Sequence, residues 1–423
     1  MAQLSDDCFA FSGPLLRLDD MERLIAERIS PVAETERVRL HGACSRVLAA
    51  DVTAPVSLPP FDNSAVDGYA VRHADLSLAE ATRLSVVGRL TAGAREELSL
   101  GPGEAIRIFT GAMMPAGADT VFMQEDVTVE GNHVTVPKGL KRGANRRLAG
   151  EDIRAGAVAL TGGTVLEPQH VALAGALGLT ELPVRRRLSV AIFSTGNEVV
   201  EPGAVRGGSA VYDSNRVLLN ELLERLGVLV TDLGILPDEP EKLSARLSEA
   251  AAAHDLIVTS GGVSTGDADY VRAAVERIGT LVFWRVAIKP GRPVALGVIP
   301  TGSGRRAAFV GLPGNPVAVF VTFVRVVKPM LRRLSGARAD RLVPIPVRAA
   351  FPYKKKKDRR EYVRVALRRA ANGEIEAVKH PQDGAGVITS LTETDGLLEL
   401  PEEMTAIEPG ARVGFLSYSA LMG

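Results

Sequence analysis

The chain has 423 residues, with Lys plus Arg and Asp plus Glu both at 50. That length exceeds one ordinary domain, and a zero net charge argues against general nucleic-acid binding. The two cysteines, Cys8 and Cys44, form neither metal-ligand spacing nor a disulfide framework, and no apolar run reaches the roughly 18 residues of a membrane span. The acidic first residues lack a basic segment followed by an apolar core, so the expected location is the cytoplasm, with no membrane and no nucleic-acid partner.

In chain order, Leu18, Met21, Leu24, Ile25 and Ile29 follow helical spacing, and Pro31 stops that helix. Residues 40–50 read as a second short helix containing Cys44, a core residue by its isolation. Three prolines and Asp62-Asn63-Ser64 then predict an irregular loop over residues 51–70. Its Asp62 and Asp67 suit an Asx-turn as well as a site. Residues 71–140 alternate in short runs punctuated by Gly, Pro and Asn, the pattern of a small β barrel. Within it, Thr110-Gly111 closes a strand and offers either a plain turn or a hydroxyl and N–H groups for an anion. The basic run 141–147 before Gly150-Glu151-Asp152 reads as a solvated face. A short helix over 168–180 is placed to pack back on the N-terminal helices, which would make the β domain an insertion.

From residue 187 the pattern becomes regular. Strands are predicted at 188–193, 228–236, 255–259, 281–288 and 307–310. Helices are predicted at 215–226, 241–253, 270–278 and 317–334, the first capped by Asp213 or Ser214 and closed by Gly227. This alternation predicts a doubly wound parallel sheet. Five strand ends carrying Gly or polar residues then converge on one edge, where ligands of such sheets bind. The stretch from Leu256 through Ser260-Gly261-Gly262 to Asp267, Asp269 and Tyr270 is the richest of these ends. Glycine N–H groups with nearby carboxylates suit a phosphate held through a metal cation. Residues 341–423 form a last β-rich domain, with Pro346 suited to an edge strand and Lys354–357 to a solvated hairpin tip.

The same edge collects carboxylates (Glu198, Asp238, Asp267, Asp269), donors (Thr195-Gly196, Ser260-Gly261-Gly262) and cations (Arg285, Lys289, Arg292). No Ser–His or Cys–His pairing stands out, and neither a dinucleotide fingerprint nor a P-loop is present. Phosphoryl or phosphate-ester chemistry remains, with Mg²⁺ on the carboxylates and Lys or Arg on the anion.

Eight ordered motifs carry a resemblance to a known family. They include Pro60-Phe61-Asp62-Asn63-Ser64-Ala65-Val66-Asp67-Gly68-Tyr69, Phe109-Thr110-Gly111-Ala112, Gly150-Glu151-Asp152, Ser194-Thr195-Gly196-Asn197-Glu198 and Asp213-Ser214-Asn215. Ser260 through Tyr270, Lys289-Pro290-Gly291-Arg292-Pro293 and Gly311-Leu312-Pro313-Gly314-Asn315-Pro316 complete the set. From about residue 14 onward the chain resembles molybdopterin molybdenumtransferases of the MoeA type, similar to the C-terminal domain of gephyrin. The resemblance implies a linker domain at 14–50 and 150–186, an inserted β domain at 51–149, an α/β domain at 187–340 and a C-terminal β-barrel domain at 341–423.

It also implies insertion of molybdate into adenylylated molybdopterin with release of AMP, assisted by Mg²⁺, in a homodimer whose site lies between subunits. The molybdopterin adenylyltransferase and recipient molybdoenzymes are the implied partners. Asp67, Thr110, Asp152, Glu198, Asp238 and Asp269 map to catalytic positions. Asp238, Asp267 and Asp269 are the expected metal ligands. Substrate contacts are expected from Thr195, Gly196, Ser260, Gly261, Gly262, Arg285, Lys289, Pro290, Pro313, Asn315, Arg360 and Ser390. Ala385 stands where the family often has a polar residue. An adenylyltransferase and a gephyrin-like scaffold are the alternatives.

Overall fold

A computed structural model describes residues 4–5, 8–9, 15–32, 34–95, 97–261, 270–302, 304–339 and 342–423. Its centre is a six-stranded sheet in the order Leu229–Leu236, Ser189–Thr195, Leu256–Ser260, Arg306–Leu312, Pro293–Pro300, Thr280–Arg285. The first four strands pair in parallel, and the last two pairings are antiparallel. Five strands therefore run one way, and Pro293–Pro300 alone among the six runs back. The sequence reading missed that strand, which begins where a Pro-Gly turn ends. Its apolar run, Val294 to Ile299, is buried throughout.

Side chains alternate across this sheet as the pleat requires. Val190, Ile192, Leu256, Val258, Ala308 and Val310 enter one core with the helices Ser214–Arg225, Pro316–Thr322 and Lys328–Leu334. Ala191, Phe193, Ile257, Ala307 and Phe309 enter the other, against Pro240–Ala253 and Tyr270–Ile278. The helix Leu18–Arg28 puts Leu18, Met21 and Ile25 into the first of these cores.

Residues 40–50 are not helical. A strand, Thr35–Arg39, is followed by one 3₁₀ turn and extended chain. Thr35–Arg39 pairs with Glu181–Arg185, and Ala43, Leu48, Val52, Leu160, Leu166 and Ala174 form a small core there. Tertiary pairing overrides the helical spacing of so short a segment. The chain leaves this unit beyond Val52–Thr53 and returns at Val158–Leu160, which pair with each other. Between them lies a six-stranded sheet ordered Thr120–Met123, Gly68–Val71, Glu104–Ile108, Thr82–Leu90, His133–Val136, Thr128–Glu130.

The C-terminal strands close on themselves: Arg360–Arg369, Ile375–Lys379, Ile345–Ala349, Arg412–Ser417, Gly396–Leu400, and back to Arg360–Arg369. Pro346 pairs only with Gly414, and the other neighbour begins its pairing at Arg348, so no ladder bond is lost. Lys354, Lys356 and Lys357 are exposed, as expected. Lys355 is buried instead, donating to the carbonyls of Lys356, Arg359 and Glu402.

Asp255 fastens the α/β unit to the linker strands. Its buried carboxylate takes two bonds from Arg186 (2.8 and 2.9 Å), one from the Ser189 N–H (2.9 Å) and one from Arg305 (3.2 Å). Asp255→Ala strands these donors. Both guanidiniums keep access to water, so the expected loss is roughly 2–4 kcal/mol, discounted from that of a fully buried pair. Urea unfolding checks this; wild-type stability would show that the cluster contributes nothing.

Candidate active site

The strand order reverses between Ser189–Thr195 and Leu256–Ser260. The chain crosses from the former to its outer neighbour Leu229–Leu236, then to the other side. Such a reversal leaves a crevice at the carboxyl ends. A pocket of about 600 Å³ lies there, within the range of small-molecule sites. Thr195, Gly196, Glu198, Asp238, Ser260, Gly261 and Asn315 line it, so the structure brings these predicted residues together, and Ser194 joins them. Asp213, Asn215 and Tyr270 also line it. Gly262, Asp267 and Asp269 lie outside the described residues.

Local chemistry explains the walls. Gly196 has φ +129°, and a Cβ there would stand 2.8 Å from Glu198 Oε2. Glycine thus lets the carboxylate fold over the turn. Asp213 caps Ser214–Arg225 by accepting from the Arg216 N–H (3.0 Å) and from its Nε (2.8 Å). Arg216 also pairs with Glu201 and Asp232. Asn215 donates to the Gly314 carbonyl at 2.6 Å. Two buried atoms on this wall, Ser194 Oγ and Asn215 Oδ1, have no hydrogen-bond partner among the described residues. Orphaned polar atoms are costly unless a ligand or water meets them. No Lys or Arg is among the described lining residues, which include three carboxylates.

A second pocket of about 140 Å³ lies between the sheet and the barrel. At about 30 Å³ per water, it has room for a compact oxyanion and none for a nucleotide. Lys289, Pro290, Tyr353, Glu361, Arg364 and His380 line it. Here Ile288–Lys289 pairs in parallel with Arg360 and Glu361. The buried Glu361 accepts from Lys289 Nζ (3.3 Å), Tyr353 Oη (2.9 Å) and Arg359 Nε (2.7 Å). Arg364 is buried and pairs with no carboxylate among the described residues. It donates to the carbonyls of Gln382 (2.9 Å) and Gly384 (3.3 Å), and its Nε has no partner. Burial pushes its pKa below the ordinary guanidinium value. Adjacent residues join the pockets: Ala385 lines the smaller and Gly386 the larger.

Arg364 was missed by the sequence reading, which took Arg360 and Ser390 instead. Arg360 is held by Glu402 at 3.0 Å and Glu399 at 3.6 Å, lining a different cavity. The Ser390 hydroxyl is spent on the Val387 carbonyl at 2.5 Å. Neither reaches these two pockets, and neither Arg285 nor Pro313 lines them. The available signal was a charged residue inside the apolar run Tyr362-Val363-Arg364-Val365.

Asp67, Thr110 and Asp152 stand outside the described lining of both pockets. Asp67 accepts from the Thr110 N–H and hydroxyl, each at 2.8 Å. These donors hold its carboxyl below the usual carboxylate range, the backbone bond first. Asp62 is structural: it accepts from the Ala149 N–H at 2.8 Å. Asp152 is exposed.

A crevice at the switch point of a mostly parallel sheet, with a second pocket behind it at the barrel junction, defines an α/β protein built to bind a small molecule. Comparisons with known proteins make this particular. Residues 16–178 match the MoeA N-terminal region, 191–333 a probable molybdopterin binding domain, and 346–418 the MoeA C-terminal region. A molybdopterin molybdenumtransferase from Haemophilus influenzae is 36% identical over 97% of this chain and all of its own length. One from Nostoc is 36% identical over 92% of this chain and 90% of its own. A crystal structure of the molybdopterin biosynthesis MoeA protein from Pyrococcus horikoshii superposes with a TM-score of 0.77, at 29% identity, over 96% of this chain and all of that one. The chain belongs to the molybdopterin molybdenumtransferase family, enzymes of molybdenum cofactor biosynthesis.

Thr110→Val removes one of the two donors to Asp67. The depressed pKa keeps Asp67 ionised until the pH falls through it, so losing a donor moves the midpoint upward. A carboxyl ¹³C NMR titration is expected to show that rise; an unmoved midpoint would mean the hydroxyl does not stabilise the carboxylate.

Proposed function

We propose that the enzyme inserts molybdate into adenylylated molybdopterin and cleaves the pyrophosphate link to release AMP. The observation that carries this reading is Arg364. Its buried guanidinium bonds no carboxylate among the described residues and shares its pocket with Lys289, an arrangement suited to a small dianion, because buried surroundings screen charge poorly. The 600 Å³ pocket across the Ala385-Gly386 turn has the size for the phosphorylated pterin. Ser194 Oγ would donate to a phosphoryl oxygen, and Asn215 Oδ1 would accept from a ring N–H or amino group.

Asp238 fits Mg²⁺, which takes one or two carboxylates and fills its shell with water and substrate phosphate. Bound there, the ion would neutralise phosphoryl oxygens. The Asp67–Thr110 pair and Asp152 serve the pocket of a second subunit in a homodimer. Their placement away from this chain's own pockets supports that reading.

Purified protein given adenylylated molybdopterin is expected to release AMP only when molybdate is added. Transfer of AMP from ATP to molybdopterin would favour an adenylyltransferase, and turnover in neither assay a scaffold. Arg364→Ala should raise KM for molybdate about ten- to a hundredfold, the value of a charged hydrogen bond, with kcat less affected. An unchanged KM would sink the role of the smaller pocket. Asp67→Ala should keep the fold and dimer and lose turnover. Mixed and reassembled with Asp238→Ala chains, it should regain about a quarter of wild-type activity, since half the dimers carry one intact shared site. No recovery would place each site within one subunit.

A further inference from the structure

The inserted β unit holds two neighbouring guanidiniums that no carboxylate balances among the described residues. Arg89 and Arg107 are direct partners in the pairing of Thr82–Leu90 with Glu104–Ile108. Like charges at such positions repel. Four other arginines of the unit pair with carboxylates: Arg72 with Asp75, Arg83 with Glu130, Arg142 with Asp119, Arg146 with Asp62. Among the described residues, neither Arg89 nor Arg107 pairs with one. Instead both lie against the Phe109 ring, Arg89 at 4.8 Å and Arg107 at 5.4 Å from its centroid. Arg107 is fixed further by the Tyr69 ring at 5.2 Å, the Tyr69 hydroxyl at 2.9 Å and Gln124 Oε1 at 2.7 Å. Phe109 directly precedes Thr110, which holds Asp67.

We infer that Arg89 and Arg107 bind the phosphoryl oxygens of the pyrophosphate-bearing substrate seated in the partner's pocket. The inference rests on the function proposed above and supplies what its larger pocket lacks. Glu198 and Asp238 line that pocket beside Asp213, which Arg216 already balances, and no Lys or Arg is among its described walls. A pyrophosphate therefore needs cationic charge from outside it. An oxyanion between the two guanidiniums removes their mutual repulsion, and the planar forks match phosphoryl geometry. Stacking on Phe109 and Tyr69 sets the forks in advance, so little side-chain freedom is lost on binding.

The test titrates ADP, adenosine bearing two linked phosphoryl groups, calorimetrically into the full-length protein. Arg89→Gln and Arg107→Gln are each expected to weaken ADP about tenfold, as loss of a charged hydrogen bond does, and to flatten its salt dependence. Arg89→Gln is expected to keep or raise Tm, because it removes a like-charge contact; a purely structural arginine would lower it. Wild-type affinity in both variants overturns this inference and leaves the proposed function standing. Failure of the wild-type protein to bind ADP overturns both.

Discussion

The two-pocket arrangement depends on one buried carboxylate. Glu361 is 1% exposed, and its donors come from both sides of a domain junction. Lys289 reaches it from the α/β unit, Tyr353 and Arg359 from the barrel side. A charge so deeply buried is tolerated only when paired and hydrogen-bonded. Burial and the neighbouring carboxylate raise the Tyr353 pKa, so its hydroxyl stays a donor. The parallel pairing of Ile288–Lys289 with Arg360 and Glu361 carries the α/β backbone into the barrel's ladder. A second tie, from the Val317 N–H to the Ala385 carbonyl at 3.0 Å, sets the barrel loop on the first turn of Pro316–Thr322. Loosening Glu361 would separate the smaller pocket from the crevice.

The inserted unit is attached differently. Its neck is a narrow antiparallel ladder, Val52–Thr53 against Val158–Leu160 with further bonds from Ala54 to Ala157 and Leu58 to Ile153. Inside it, Gly68 allows strands to approach where a Cβ would stand 1.7 Å from the Phe122 carbonyl oxygen. That glycine follows Asp67, so close strand packing and the presentation of Asp67 to Thr110 come from one turn. A small rigid unit on a thin neck can present groups at a distance from its own chain's pockets.

What was legible in the sequence was the part written in short-range pattern. The apolar runs at 188–193 and 255–259 and the Leu-rich helix closed by Gly227 are strands and helix where the pattern put them, with Asp213 as the cap. Thr195, Gly196 and Ser260 fall in the crevice because strand ends of equal direction must share an edge. Long-range pairing decided the rest. Residues 40–50 have helical spacing but lie against strand Glu181–Arg185 and its neighbours. Arg364 reads as one charge in a strand, and its meaning appears only when closure of the barrel buries it without a carboxylate. Arg360, four residues earlier, looked equally suited and is consumed by Glu399 and Glu402.

The distribution of charge is the one expected for the proposed ligands. A dianion and a pyrophosphate brought together repel strongly in a low dielectric. The smaller pocket answers with Arg364 and Lys289, of which Lys289 is already balanced by Glu361 at 3.3 Å. Asp383, which also lines the pocket, is paired with Lys379 at 2.8 Å, so Arg364 is left without a direct carboxylate partner among the described residues. The larger pocket answers with carboxylates, which by themselves would reject a phosphate. On the proposed function they would become favourable once cations arrive from solution and from a second subunit. An active site divided in the way proposed would stay repulsive toward stray phosphates while its subunit stands alone, and would turn attractive once the opposing unit and a metal ion are in place.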